Sequence, residues 1–120
     1  MNTTAKRIGV DDLAKCLDLA KQAAIEAGKN EEDGGTCNLD CPAFQIPGMP
    51  DSIIQTAATV AGVTCSKFKW FGAKRWYWVT GFLLGQGNRR SRMSDAATKM
   101  LKQCLAEYPE IKVCEYCQMD

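Results

Sequence analysis

Between Val10 and Ala27 the apolar residues Leu13, Leu17, Ala20 and Ala24 return at helical spacing, with Cys16 and Ala23 beside the stripe and Lys15, Lys21 and Glu26 off it. A period near 3.6 predicts an amphipathic helix over 10–27 that buries one face. Gly28 follows as its expected C-cap. Residues 29–50 then lose any period: Glu31, Glu32 and Asp33 form an acidic run, and Pro42, Pro47, Gly48 and Pro50 punctuate the rest. The expectation there is an irregular acidic, proline-containing loop rather than a strand. Ser52 followed by Gln55 has capping-box spacing, so a short helix is expected over 53–61, closed by Gly62.

After Gly62 the period shortens to two. Residues 63–71 and 75–84 are rich in aromatic and β-branched side chains and enclose Gly72, Ala73 and Lys74, which predicts two antiparallel strands joined by a short turn. Alternation puts Trp76, Trp78, Thr80 and Phe82 on one face of the second strand and Arg75, Tyr77, Val79 and Leu83 on the other. A last helical stripe of Ala97, Leu101, Cys104, Leu105 and Tyr108 predicts a helix capped by Ser94 and ended by Pro109. Alternation from Ile111 to Cys117 predicts a terminal edge strand. The resulting class is α+β: a small antiparallel sheet built on a central hairpin, packed against two longer helices and one short helix. With 120 residues and no internal repeat, residues 1–120 suit one domain with one core.

Composition narrows the chemistry. The chain contains no histidine. Triad hydrolysis, histidine-paired cysteine catalysis and histidine metal ligation are therefore excluded. No apolar run reaches the roughly 18 residues of a membrane span, and the N-terminus lacks a secretory apolar core, so a cytoplasmic protein without a membrane partner is expected. The seven cysteines, an odd number, suit thiols or metal ligands better than a secreted disulfide framework.

Two close cysteine pairs, Cys37/Cys41 and Cys114/Cys117, have the ligand count of an all-thiolate zinc site that would tie the 29–50 segment to the C-terminus. Unligated thiols, a disulfide, an iron–sulfur cluster and a Cys114/Cys117 redox dithiol stay open beside that expectation. Cys16, Cys65 and Cys104 fall on apolar stripes or strands and are expected in the core.

The net charge of +1 hides a segregation. Nine acidic residues face five basic ones over the first 51 positions, and five face three over the last 28, whereas Lys67, Lys69, Lys74, Arg75, Arg89, Arg90 and Arg92 occupy an acid-free centre. Interleaved with them are Trp70, Trp76, Tyr77 and Trp78. Cations for phosphates and flat rings for unpaired bases together suit nucleic acid, with Lys67, Lys69, Trp70, Lys74, Arg75, Tyr77, Arg89, Arg90 and Arg92 as the candidate contacts. The bland alternative is a solvated strand face above core aromatics.

Gly85, Gln86, Gly87 and Asn88, running into Arg89, Arg90, Ser91 and Arg92, resemble over roughly fifteen residues the strand-to-helix phosphate loops of nucleotide- and coenzyme A-binding proteins, including acyltransferases of the GNAT family. That resemblance implies a phosphorylated ligand at the loop. Arginine and serine stand where the later glycines of such loops would be, and neither a Walker lysine–serine pair nor a Rossmann spacing is present. Three functions follow as expectations: a non-catalytic nucleic-acid or polyanion binder, a protein-interaction or inhibitor domain such as a mobile-element accessory factor, and a phosphate-ligand binder or enzyme at the Gly85–Gly87 loop.

Overall fold

The elements follow one another as α1 (Val10–Gly28), β1 (Cys41–Gln45), α2 (Asp51–Ala61), β2 (Thr64–Trp70), β3 (Lys74–Thr80), α3 (Asn88–Cys104) and β4 (Lys112–Tyr116). They come from a computed structural model that describes residues 7–29, 40–70, 74–82 and 88–116, with Trp70 and Lys74 described by backbone alone. The strands form one antiparallel sheet in the order β2-β3-β1-β4. From β1 onward this is the strand order of a split β-α-β-β-α-β plait, to which α1 adds a third helix.

The expected α+β class with an antiparallel sheet and three helices is what forms. The hairpin of β2 and β3 supplies one edge strand and one interior strand; β1 and β4 supply the other half. The largest difference from the sequence reading lies in residues 29–50. Cys41–Gln45, expected to be irregular, is an interior strand buried along its whole length. Pro42 misleads because proline lacks the N–H that a ladder uses. The structure accommodates it by restricting the β1–β3 ladder to Ala43↔Trp78 and Phe44↔Tyr77, with Pro42 just beyond, while β4 pairs with all five residues of β1. Residues 30–39, which hold the acidic run, lie outside the described residues.

Side chains on one sheet face, Phe44, Cys65, Tyr77 and Val79, join Leu13, Leu17, Ile54, Met93, Ala97 and Leu101 of the helices in the main core. Above this face α3 lies against β1 and β4, α2 lies against β2, and α1 packs between α2 and α3. Small residues let α1 come close: Ala20 and Ala24 are fully buried, and at Gly28 a Cβ would stand 2.7 Å from Met93 of α3. Gly28 is thus the last helical residue and a packing contact rather than the expected cap.

The start of α2 also differs. Its N-cap is Pro50, with no side-chain cap bond, and Gln55 donates to Asp51 and to the Cys65 carbonyl instead of reaching back to Ser52. No capping box forms. Its end is as expected: Gly62 adopts φ 74°, and the Gly62 and Val63 amides return to carbonyls of the last turn.

Candidate nucleic-acid interface

Strand alternation separates the chemistry that the sequence reading grouped. Lys67, Lys69, Arg75 and Tyr77 share the sheet face that carries Phe44, whereas Ser66, Phe68, Trp76, Trp78, Cys41, Ala43, Cys114 and Tyr116 share the opposite one. Cations and most of the exposed aromatic surface therefore point to opposite sides of the hairpin.

Tyr77, expected to stack on a base, is only 1% exposed. Its hydroxyl donates to Asp51 at 2.7 Å, and its ring stacks on Phe44 with centroids 5.4 Å apart. Burial and the Asp51 bond push the phenol well above its usual pKa, while Tyr77 and Gln55 as donors hold Asp51 below the usual carboxylate range. Tyr77 is a core residue.

Arg75 donates to the Met49 carbonyl and lies over the Tyr77 ring, 5.5 Å from its centroid. Lys67 stands 3.9 Å from Asp51. These two cations brace the hairpin against the start of α2. Lys69 remains exposed.

The second basic group differs from expectation in setting. α3 begins at Asn88, so Arg89, Arg90 and Arg92 form its first turns, and Ser94, expected as the N-cap, is mid-helix and fully buried. No acidic residue occupies that first turn, so three cations add to the positive end of the helix dipole. Arg90 donates to the Asp40 carbonyl at 2.7 Å, fastening α3 to the start of β1. Because Ala43 faces Trp78, Cys41 and Asp40 lie at the Thr80 end of β3, whereas Lys69 and Arg75 lie at the hairpin-turn end. Five residues of strand, about 17 Å, separate the two groups along the sheet. The Gly85–Gly87 loop lies outside the described residues.

The aromatic side is a group that sequence reasoning only half assembled. Phe68 and Trp78 stack with centroids 4.4 Å apart, and Tyr116 of β4 closes on both, edge-on to Phe68 at 5.6 Å and tilted to Trp78 at 5.3 Å. All three are half-buried, and Trp76 beside them is buried. Among the described residues no helix lies on this side. Alternation alone put Trp76 and Trp78 together; only the pairing of β4 with β1 brings in Tyr116.

Of the four proposed metal ligands, Cys37 and Cys117 lie outside the described residues. Cys41 and Cys114 sit on neighbouring strands with the same facing, two register positions apart, Cys41 opposite Tyr116 and Cys114 opposite Ala43. Strand pairing thus already ties β1 to the C-terminal segment. Among the described residues no group of three or more cysteines and carboxylates converges as a metal cage. No protein-family model, curated protein or solved structure matches the chain.

Proposed function

We propose that the protein is a non-catalytic binding module for single-stranded nucleic acid, with bases received on the Phe68–Trp78–Tyr116 side of the sheet. The observation that carries this reading is that aromatic cluster, half-exposed and spread over β2, β3 and β4 of a four-stranded sheet whose described helices all lie on the other side. Aromatic rings on such a sheet offer sequence-tolerant platforms for unpaired bases. Phosphates would meet cations at the two ends: Lys69 and Lys112, both exposed, near the hairpin turn, and Arg89 and Arg92 at the start of α3. Lys74 and Trp70 belong to the hairpin-turn end by sequence. Arg75, Lys67 and Arg90 contribute through the fold they brace.

Titration of fluorescently labelled single-stranded oligonucleotides tests this. With about four phosphate contacts the logarithm of affinity falls against the logarithm of salt with slope about −3. Trp78→Ala or Phe68→Ala weakens binding by roughly 1–3 kcal/mol per lost stacked base and leaves the slope unchanged. Charge reversal at Arg89 and Arg92 flattens the slope, and Tyr77→Phe leaves affinity intact. Absence of binding to single- and double-stranded DNA and RNA at about 50 mM salt, where phosphate contacts are strong, ends the proposal.

One observation favours a second reading. Phe68 and Trp78 already spend a ring face on each other, which suits an apolar patch for a protein partner as well as a stacking platform. Loss of a co-purifying protein on Trp78→Ala, with no nucleic-acid binding by the parent, would select it.

A further inference from the structure

The cysteines occupy different surroundings. Cys41 and Cys114 belong to the aromatic side of the sheet, and Cys65 lies in the main core, where burial pushes its thiol up to about 12. Cys16 and Cys104 differ from these because they face each other. Cys16 is buried on α1, and Cys104 is the half-buried last residue of α3. The two residues are brought together where α1 packs on α3, and neither is in a disulfide. They also line one surface cavity of about 380 Å3, whose rim carries Lys15 and Glu107.

We propose that Cys16 and Cys104 are a reversible dithiol–disulfide site, oxidised by a low-molecular-weight disulfide that reaches them through this cavity. Cys104, the more accessible of the two, attacks as its thiolate one sulfur of the small disulfide. The reagent's S–S bond breaks, a mixed disulfide forms on Cys104, and the first small thiolate leaves. Cys16 then loses its proton and attacks the Cys104 sulfur, which displaces the second small thiolate. The two protein thiols give up two electrons and two protons; the small disulfide takes both and becomes two thiols.

This order follows from the surroundings of Cys16. Burial, then the neighbouring Cys104 and the acids Asp12 and Glu107, push its thiol up to about 12, so it is a poor first nucleophile and serves as the resolving sulfur. The second step therefore quickens as pH rises. The product joins two helices and closes a loop of about 90 residues, a long constraint on the unfolded chain. It would fasten α1, which has no strand of its own in the plait, to the helix that seats on β1 and β4.

The test is made on the full-length reduced protein, incubated with oxidised glutathione and digested without reduction. The expected result is a peptide containing Cys16 joined to one containing Cys104, reversed by dithiothreitol, together with a higher unfolding midpoint in the oxidised sample. Cys16→Ser should stop at a glutathione adduct on Cys104, and Cys104→Ser should leave Cys16 unmodified with no rise in midpoint. Repeating the mapping with Cys37→Ser and Cys117→Ser should leave the cross-link in place. The proposal is overturned if the unsubstituted protein keeps Cys16 reduced while Cys104 is unmodified or glutathionylated, or if either cysteine pairs elsewhere. That mapping decides even where a variant fails to fold.

Discussion

Glu115 shows what partial burial does to a single charged side chain. It lies on the helix-covered sheet face, with one carboxylate oxygen buried without a hydrogen-bond partner among the described residues. Burial raises its pKa, Asp40 and Asp95 add to the rise, and Ser94 and Lys102 pull the other way. A raised carboxyl pKa means that the folded state favours the protonated form. Its contribution to stability is present below the ordinary glutamate range and lost as pH rises through the folded pKa. Glu115→Gln should therefore raise the urea midpoint at pH 7 and bring little gain at pH 4; an equal gain at both would refute this account. Tyr77→Phe probes the opposite side of the core. It removes the hydroxyl bond to Asp51 and should cost about 1 kcal/mol in denaturant unfolding while nucleic-acid binding stays unchanged. A large loss of binding with unchanged stability would return Tyr77 to the interface.

Among the elements, the α1–α3 contact depends on small residues. Alanine is the better helix former by up to about 1 kcal/mol, yet a Cβ at Gly28 would press on buried Met93, and overpacking typically costs about 1–3 kcal/mol. Gly28→Ala should on balance destabilise the protein by about 1 kcal/mol in thermal or urea unfolding. A gain in stability would mean that Met93 shifts freely and that helix propensity dominates. At β3 the exit is similarly constrained: Gly81 has φ 97°, and a Cβ there would stand 3.2 Å from the Thr64 backbone nitrogen, so only glycine lets the chain leave the hairpin there without strain.

At the scale of the whole molecule, β1 and β4 determine whether the four-cysteine zinc proposal holds. Pairing places Cys41 and Cys114 on adjacent strands, and Cys117 follows Tyr116, the residue opposite Cys41. If Cys37 and Cys117 complete a tetrahedral thiolate site with them, protein purified under reducing conditions should carry about one equivalent of zinc, and a chelator should lower its unfolding midpoint. Less than about a tenth of an equivalent would end this proposal, because structural zinc sites of this type bind tightly. No helix among the described residues is long and apolar enough to cross a membrane.

Local periodicity was enough to locate α1, the hairpin, the body of α3 and the terminal strand, because Leu13, Leu17, Ala20 and Ala24 repeat at one period and the residues around Trp76 at another. It also located the closure of α2, because Gly62 needs a left-handed backbone that other residues resist. Histidine-dependent catalysis was excluded by composition alone. Partnership between distant segments could not be read this way. The residues of β1 hold a proline and only one large hydrophobic side chain, Phe44, in five, and their extended form depends on hydrogen bonds from β3 and β4, some 35 and 70 positions away. The same long-range pairing adds Tyr116 to Phe68 and Trp78, turns Tyr77 inward and puts the cations of β2 behind the aromatic side. A strand's two faces are fixed by its sequence; which face meets the helices is fixed only when the sheet closes.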